Sequence, residues 1–190
     1  CVKACDVNPG EWIVVIGAAG GMGHLAVQYA RVVGAQVIAV DGGDSKRDYC
    51  LSLGATHYID HSKVSSPVDE VQRLTNGGAH AVVCAAGSPR AYANAADMLR
   101  IGGTLACGGI PPGSPHLLTS IGAIVIKSLK IVGCLVGSLK ETMEAVELTR
   151  QGRVKPTIAV RPFTDLPTIY SQLERNEIMG RVVLKVAEDD

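Results

Sequence analysis

The chain has 190 residues, of which 47% are hydrophobic, and its 18 basic and 18 acidic residues leave no formal net charge. This composition allows a full core in one domain with an appendage. The longest basic run is Lys46-Arg47, which disfavours nucleic acid as a partner. No apolar stretch approaches the roughly 20 residues that span a bilayer, and no secretory signal opens the chain. We therefore expect a soluble, cytoplasmic protein with no membrane partner.

The cysteines and histidines do not form a metal-binding pattern. Six dispersed cysteines contain no C-x-x-C pair, so neither a zinc site nor a disulfide framework is expected. Cys84, Cys107 and Cys134 lie in apolar, strand-like runs, where a thiol behaves as a small hydrophobic group. His57 and His61 have no third ligand at a supporting spacing, and a solvated turn is the preferred interpretation. The sequence predicts no metal ligands.

A glycine-rich turn near the start of the chain predicts a dinucleotide site. Ile13 to Ile16 is a short β-branched run, typical of a buried strand, and it leads into Gly17-Ala-Ala-Gly-Gly-Met-Gly23. Apolar residues then recur at helical spacing: Leu25, Ala26, Tyr29, Ala30 and Val33. Gly20 would let the backbone approach a pyrophosphate and Gly23 would let the helix pack closely on the strand. Ala18 stands where the G-x-G-x-x-G pattern starts, with Gly17 one residue earlier, so the tight turn must be made differently.

Two polar residues flank this turn. Asp41 ends the second strand-like run, Val37 to Asp41, where its carboxylate can accept hydrogen bonds from ribose hydroxyls. His24 opens the helix. We predict that His24 faces solvent, with a phosphate contact as the alternative.

Strand-like and helical patterns alternate along most of the chain. Strands are predicted at 12–17, 36–41, 57–60, 80–85, 103–108 and 129–136, with helices at 21–34, 45–53, 67–75 and 89–100. Only the crossover 109–128 lacks an obvious helix. This alternation predicts an α/β, Rossmann-type doubly wound parallel sheet of order 3-2-1-4-5-6 with a C-terminal appendage. Ligands of such sheets bind beyond the carboxyl ends of the strands, and here those ends are rich in small residues, which leave room for a flat cofactor.

Several of these motifs together resemble one family. They are Gly17 to Gly23, Ala26-Val-Gln-Tyr-Ala30, Asp41-Gly-Gly with Lys46, Thr75-Asn-Gly-Gly-Ala-His80, Lys127-Ser128 with Ile131-Val-Gly133, and Gly180-Arg181. The chain resembles zinc-dependent medium-chain alcohol dehydrogenases, specifically the microbial tetrameric branch, over nearly its whole length. The resemblance implies NAD as cofactor and a primary or secondary alcohol, or the aldehyde, as substrate.

The resemblance also implies roles for individual residues. Asp41 and Lys46 would hold the adenosine ribose, Arg181 would reach the pyrophosphate, and Met22 would pack behind the nicotinamide. The ring and its carboxamide would be framed by Ile110, Cys134 and Val136, the last two through backbone atoms. The predicted cofactor-binding set is completed by Gly20, Gly21, Gly23 and Ala86.

The family's zinc ligands, a cysteine, a histidine and a second cysteine, would lie upstream of Cys1. Cys1 and Cys5 are not assigned as ligands, and no catalytic residue is assigned within the chain. We therefore expect residues 1–137 to form an NAD-binding Rossmann domain and residues 138–190 to return to a catalytic domain outside the chain. The chain alone is expected to be inactive, with zinc bound only in the full-length enzyme.

Two alternatives and one prediction about assembly complete the sequence analysis. A zinc-free quinone reductase of the same superfamily is the enzymatic alternative, although such proteins usually prefer the phosphorylated cofactor, which Asp41 would repel. A non-enzymatic Rossmann binding module is the second alternative.

The apolar run 129–136 is predicted to be the terminal strand of the sheet and to pair two copies into a homodimer, possibly within a tetramer. The alternative is that the segment 154–187 covers this strand.

Overall fold

The computed structural model describes residues 1–113, 117 and 119–186. Its eight strands are β1 (Trp12–Ile16), β2 (Gln36–Asp41), β3 (His57–Asp60), β4 (Ala79–Cys84), β5 (Leu99–Cys107), β6 (Lys130–Gly133), β7 (Ile158–Pro162) and β8 (Arg181–Lys185). Its seven α-helices are α1 (Gly23–Val32), α2 (Ser45–Ser52), α3 (Pro67–Thr75), α4 (Pro89–Ala93), α5 (Ile121–Lys127), α6 (Leu139–Arg150) and α7 (Leu166–Glu174). None of the described helices combines the length and apolar character needed to cross a membrane.

The first six strands form one parallel sheet. Its order is β3-β2-β1-β4-β5-β6, which confirms the predicted topology. The central strands are buried on both faces, as expected for parallel strands that helices cover on both sides. Val15 and Val83 contribute to the core on one face with Val27 of α1, whereas Val14 and Val82 contribute to the core on the other face. Alternate residues of one strand thus feed two cores.

The crossover into β5 differs from the prediction. The helix predicted at 89–100 ends at Ala93, and β5 begins at Leu99 rather than at 103. Turns occupy the intervening residues, with the Asp97 amide donating to Asn94 O at 3.2 Å. Leu99 pairs with Ala79 before a register shift restores regular pairing at Ala81 and Thr104. The apolar spacing of residues 95–99 therefore reflects buried turns and not a continuous helix.

The crossover 109–128, predicted to lack a helix, contains α5. The Ser120 hydroxyl accepts a hydrogen bond from the Ala123 amide and so caps the first turn of α5. Helical periodicity is absent from the sequence because Ile121 to Ile126 is apolar on every face. The predicted strand 129–136 is likewise shorter, because the Leu129 amide still closes the helix end and β6 covers only Lys130–Gly133.

The C-terminal segment forms a second, two-stranded sheet. β7 and β8 pair in parallel with Ile158 opposite Arg181, and α7 connects them. These strands pair with each other and not with β6, so among the described residues no strand lies beyond β6 in the six-stranded sheet. The alternative in which a strand of this segment covers β6 is therefore wrong for the described residues.

Candidate functional site

Five neighbouring strands of the large sheet end within one residue of a common line. Register pairing aligns Val40, Ile16, Cys84, Cys107 and Gly133. Four of these strands leave the sheet after this line, at the segments that start at 17, 85, 108 and 134, whereas β2 continues one residue further to Asp41, which pairs with Asp60. The topology therefore brings the predicted site residues that follow these strands to a single edge, which is where ligands of doubly wound sheets bind.

The glycine turn between β1 and α1 requires glycine at two positions. Gly17 has a φ of +77°, so it supplies the left-handed conformation that Ala18 could not adopt without strain. This explains how the shifted motif still makes a tight turn. A Cβ on Gly23 would lie 2.0 Å from Gly17 O, whereas a Cβ on Gly20 would lie 3.4 Å from the same atom. Gly23 is thus fixed by packing, and Gly20 leaves open backbone at the start of α1, whose free amides favour anions.

Asp41 joins the glycine turn to the end of β2. One carboxylate oxygen, Oδ2, accepts the Ala19 amide at 2.9 Å, and Oδ1 accepts the Gly42 amide at 2.8 Å and Lys46 Nζ at 2.7 Å. Asp41 and Lys46 are each only 9% exposed. The structure therefore brings these two predicted residues together as a buried ion pair, and it adds a contact with the turn that sequence reasoning missed.

The loop after Asp41 is held by β3. The Asp60 carboxylate accepts the Gly43 amide at 3.1 Å, and the Tyr58 hydroxyl donates to Gly43 O at 2.9 Å. Gly43 has a φ of +98°. Burial, reinforced by Asp41 and Asp60, raises the pKa of the Tyr58 hydroxyl, which therefore stays a neutral donor. This side of the edge is fixed by hydrogen bonds within the chain.

The other side of the edge, after β4 to β6, is open and apolar. A Cβ on Gly109 would lie 2.1 Å from Ala86 O, so the segments that follow β4 and β5 lie in close contact. The Tyr92 hydroxyl donates to Gly109 O at 2.6 Å and stabilises this contact. Beyond it, Ile110 is 77% exposed and Val136 is 88% exposed. Both lie on segments that leave the carboxyl edge, with Cys134 half-buried between the sheet and Val136.

Arg181 approaches the glycine turn from the C-terminal segment. A Cβ on Gly21 would lie 2.8 Å from Arg181 Cζ, so the guanidinium lies directly against the turn. The Gly180 amide donates to Ala19 O at 2.9 Å and holds the backbone there. The structure thus brings Arg181 to the glycine turn, more than 150 positions earlier in the sequence. Met22, in the same turn, is partly exposed.

His24 is not at the surface, and this prediction is wrong. Its ring is completely buried and its two nitrogens contact Gly20 O at 3.0 Å and the Thr157 amide at 3.2 Å. Gln28, one turn later, accepts the Lys155 amide at 2.7 Å and donates to Lys155 O at 3.0 Å. A polar pair at i and i+4 on an otherwise apolar helix face was the available signal that α1 receives another segment here.

Three buried thiols of the chain are held in the protonated form. Burial raises the pKa of Cys5 and of Cys50 to about 12, and that of Cys84 to about 11. No group of three or more histidine, cysteine, aspartate or glutamate side chains suited to a metal ion occurs within residues 1–113, 117 and 119–186. The described groups at this edge are backbone amides, the buried acids Asp41 and Asp60, one guanidinium and an apolar surface.

Comparison with known proteins agrees with this geometry. The family model for zinc-binding dehydrogenases matches residues 21–151. An alcohol dehydrogenase of Schizosaccharomyces pombe is 40% identical over 187 residues, and alcohol dehydrogenase 1 of Emericella nidulans is 38% identical over 189 residues. Each alignment covers 98% of this chain, but only 53% and 54% of the relatives, so the chain spans about half their length.

A solved structure agrees as well. The alcohol dehydrogenase of the archaeon Aeropyrum pernix superposes with a TM-score of 0.88 at 30% identity, covering 97% of this chain and 53% of that one. The glycine turn, the acid at the end of β2 and the returning arginine thus occur on a fold shared with alcohol dehydrogenases. The chain belongs to the zinc-binding dehydrogenase family.

Proposed function

We propose that this chain binds NAD and forms the cofactor-binding portion of an NAD-dependent zinc alcohol dehydrogenase. The Asp41 carboxylate carries this proposal. A carboxylate accepts about four hydrogen bonds, and Asp41 accepts three from the chain itself, which leaves an acceptor position for a ribose hydroxyl. A buried acid so placed favours a ribose diol and repels a 2′-phosphate.

The other described residues fit the rest of the cofactor. Gly20 and Gly21 expose the backbone at the start of α1 for the pyrophosphate, and the Arg181 guanidinium beside them supplies a bidentate donor for its oxygens. Ile110, Val136 and Met22 offer apolar surface for the nicotinamide, with Ala86 and Cys134 at the neighbouring strand ends. When bound, NAD supplies the hydride acceptor or donor. The chain's own residues bind it, orient it and keep water from one of its faces.

The zinc ion does not fit the described residues in the same way. They offer no three-ligand group of the kind that an open catalytic zinc site requires. We propose that the zinc ligands of the active enzyme lie outside these 190 residues, that residues 1–137 are the NAD-binding domain, and that residues 138–190 contact the catalytic domain. By the same reasoning the 190-residue chain alone turns over no alcohol. The substrate proposed for the complete enzyme is a small primary or secondary alcohol or its aldehyde.

We also propose that two copies pair through β6. Its outer edge has no strand partner among the described residues, and the neighbouring α5 presents Ile121, Val125 and Ile126 to solvent. An unpaired edge beside an apolar helix favours association, and a two-fold contact between identical edges is the simplest closed form. A tetramer would require a second interface.

The function is tested by calorimetric titration of the chain with NAD and with NADP. We expect NAD to bind at least tenfold more tightly, and Asp41→Ala to narrow the difference by about 1 to 3 kcal/mol, the scale of a charged hydrogen bond. Lys63→Ala, which removes an exposed cation that pairs with Asp44, is the matched control and should leave the preference unchanged. Equal or tighter binding of NADP would support the quinone reductase alternative, and no binding of either would support the non-enzymatic one.

A further inference from the structure

A closed ring of hydrogen bonds ties the glycine turn to the C-terminal segment. His24 Nδ1 lies 3.0 Å from Gly20 O, and the Thr157 amide lies 3.2 Å from His24 Nε2. The Arg181 amide then donates to Thr157 O at 2.9 Å. The ring closes where the Gly180 amide donates to Ala19 O, also at 2.9 Å. His24 is the only side chain in this ring, since every other participating group belongs to the backbone.

The two partners of His24 fix its protonation state. A carbonyl oxygen such as Gly20 O can only accept, so Nδ1 carries the hydrogen, and a backbone amide such as that of Thr157 can only donate, so Nε2 is bare. The imidazole of His24 is therefore neutral. Burial lowers the His24 pKa, and the nearby Arg181 charge lowers it further, while hydrogen bonds to Gly20 and Gly21 oppose the shift. A second proton on the ring would remove the acceptor that Thr157 uses.

The hydrogen-bonded ring is sterically tight at Gly180. Gly180 has a φ of +70°, and a Cβ there would lie 2.6 Å from Thr157 O. Arg181 follows immediately, with its guanidinium against Gly21 and no carboxylate within 4 Å among the described residues. The backbone from which this unpaired cation extends is held by Thr157 O, by the Gly180 amide on Ala19 O and by the pairing of β7 with β8.

We propose that His24 is a positioning residue that holds Thr157, and through it Arg181, against the glycine turn, so that the guanidinium is already in place for the pyrophosphate of a bound dinucleotide. The role given to this contact rests on the proposed NAD site, whereas the hydrogen bonds of His24 do not depend on it. His24 does not touch the phosphates itself, because both ring nitrogens are already engaged. It acts through the arginine and presets the cation before the ligand arrives.

Two matched substitutions separate the halves of the His24 contact. His24→Asn keeps a donor for Gly20 O at the position of Nδ1 and loses the acceptor for Thr157. His24→Gln places an amide oxygen near the position of Nε2 and retains that acceptor. Native-state amide hydrogen exchange of the ligand-free chain should show the Thr157 and Arg181 amides exchanging at least about tenfold faster in His24→Asn and close to wild type in His24→Gln. The core amides of Val15 and Val83 report global stability and should change little.

The consequence for binding is tested by a double-mutant cycle with Arg181→Ala. We expect His24→Asn alone to weaken NAD binding by about fivefold, and to have no further effect when Arg181 is already alanine. Additive losses, or unchanged exchange of Thr157 and Arg181 in His24→Asn, would overturn the proposal. If the wild-type chain binds no NAD, the proposed function fails, and the exchange measurement alone still decides whether His24 positions the arginine.

Discussion

The two halves of the carboxyl edge are built in different ways. After β1, β2 and β3, polar groups are buried and satisfied by the chain itself, as with Asp41, which accepts from two amides and Lys46. After β4, β5 and β6, the projecting residues are apolar and largely exposed, such as Ile110 and Val136. One half is preorganised without a ligand, and the other presents surface that a ligand or another part of the protein would cover. For the proposed NAD site, we infer that the first half supplies the affinity for the cofactor and that the second half orients its nicotinamide ring.

The largest expected effect breaks the preorganised half at its tightest point. Gly23→Ala would place a Cβ 2.0 Å from Gly17 O, between two backbone segments that cannot both move, and should cost about 3 kcal/mol or more of unfolding free energy. Urea denaturation followed by circular dichroism measures it. Gly122→Ala in α5 is the control, because its Cβ would meet only Ser120 Oγ at 3.8 Å and alanine favours a helix, so stability should rise by about 0.5 to 1 kcal/mol. A Gly23→Ala chain as stable as wild type would refute this account of the turn.

The second effect concerns the buried ion pair. Asp41→Asn leaves the buried Lys46 charge without its carboxylate and should destabilise the chain by about 3 kcal/mol. Asp41→Asn with Lys46→Met removes the stranded charge and should recover much of that loss, although NAD binding should stay weak. Urea denaturation and calorimetry of the same samples separate the two readouts. A double variant as unstable as Asp41→Asn alone would mean that the pair is not the source of stability.

The third effect concerns the outer edge of β6 beside the open half. The Cys134 amide donates to Cys107 O, and strand residues alternate in direction, so the amides of 130 and 132 face β5 and that of Ile131 faces outward. Ile131→Pro therefore removes a donor from the free edge without breaking the ladder to β5. If two copies pair here, sedimentation should show this variant as a monomer and the wild type as a dimer.

The control for the edge is Val132→Pro. It breaks the ladder to β5 and should lower stability as well as association. A wild-type chain that is monomeric at micromolar concentration would defeat the β6 pairing. A dimer that persists unchanged in Ile131→Pro would place the interface elsewhere.

The smallest effect is a pH dependence from two histidines, His24 beside the glycine turn and His80 at the start of β4. Burial lowers the pKa of both His24 and His80, so the unfolded chain binds more protons than the folded chain below the ordinary histidine pKa. Unfolding free energy should be at its full value above pH 7 and fall as the pH drops toward 5, by up to about 1.4 kcal/mol per pH unit for each histidine. Urea titrations at several pH values should show a shallower fall in His24→Asn and a still shallower one with His80→Asn added. An unchanged slope in the double variant would contradict the assignment.

Much of the fold could be predicted because local patterns and handedness leave few choices. The β-branched runs of β1 and β2, the glycine turn and the alternation of elements lead to the order 3-2-1-4-5-6 without tertiary information. The errors arose where the local pattern is missing or misleading. Helix α5 is apolar on all faces, and the residues after Ala93 form buried turns whose apolar spacing imitates a helix.

The candidate site divides in the same manner. Gly23 and Asp41 follow from the motif and its spacing, whereas Arg181 follows only from the family resemblance. Other contacts depend on segments that meet only in the folded chain. They are the hydrogen bond of Asp41 with Ala19, the burial of His24 and the hydrogen bonds between Gln28 and Lys155. A single buried histidine at a helix start is easily predicted to be exposed when its acceptor and donor are 4 and 133 positions away.

The central claim is that the preorganised half carries the affinity for the cofactor. Calorimetry of the wild-type chain with NAD and with ADP-ribose, which lacks the nicotinamide ring, tests it most directly. The account predicts dissociation constants that agree within about threefold, a difference of under 1 kcal/mol. ADP-ribose binding more than about tenfold weaker than NAD would contradict it, because the open half would then contribute over 1.4 kcal/mol.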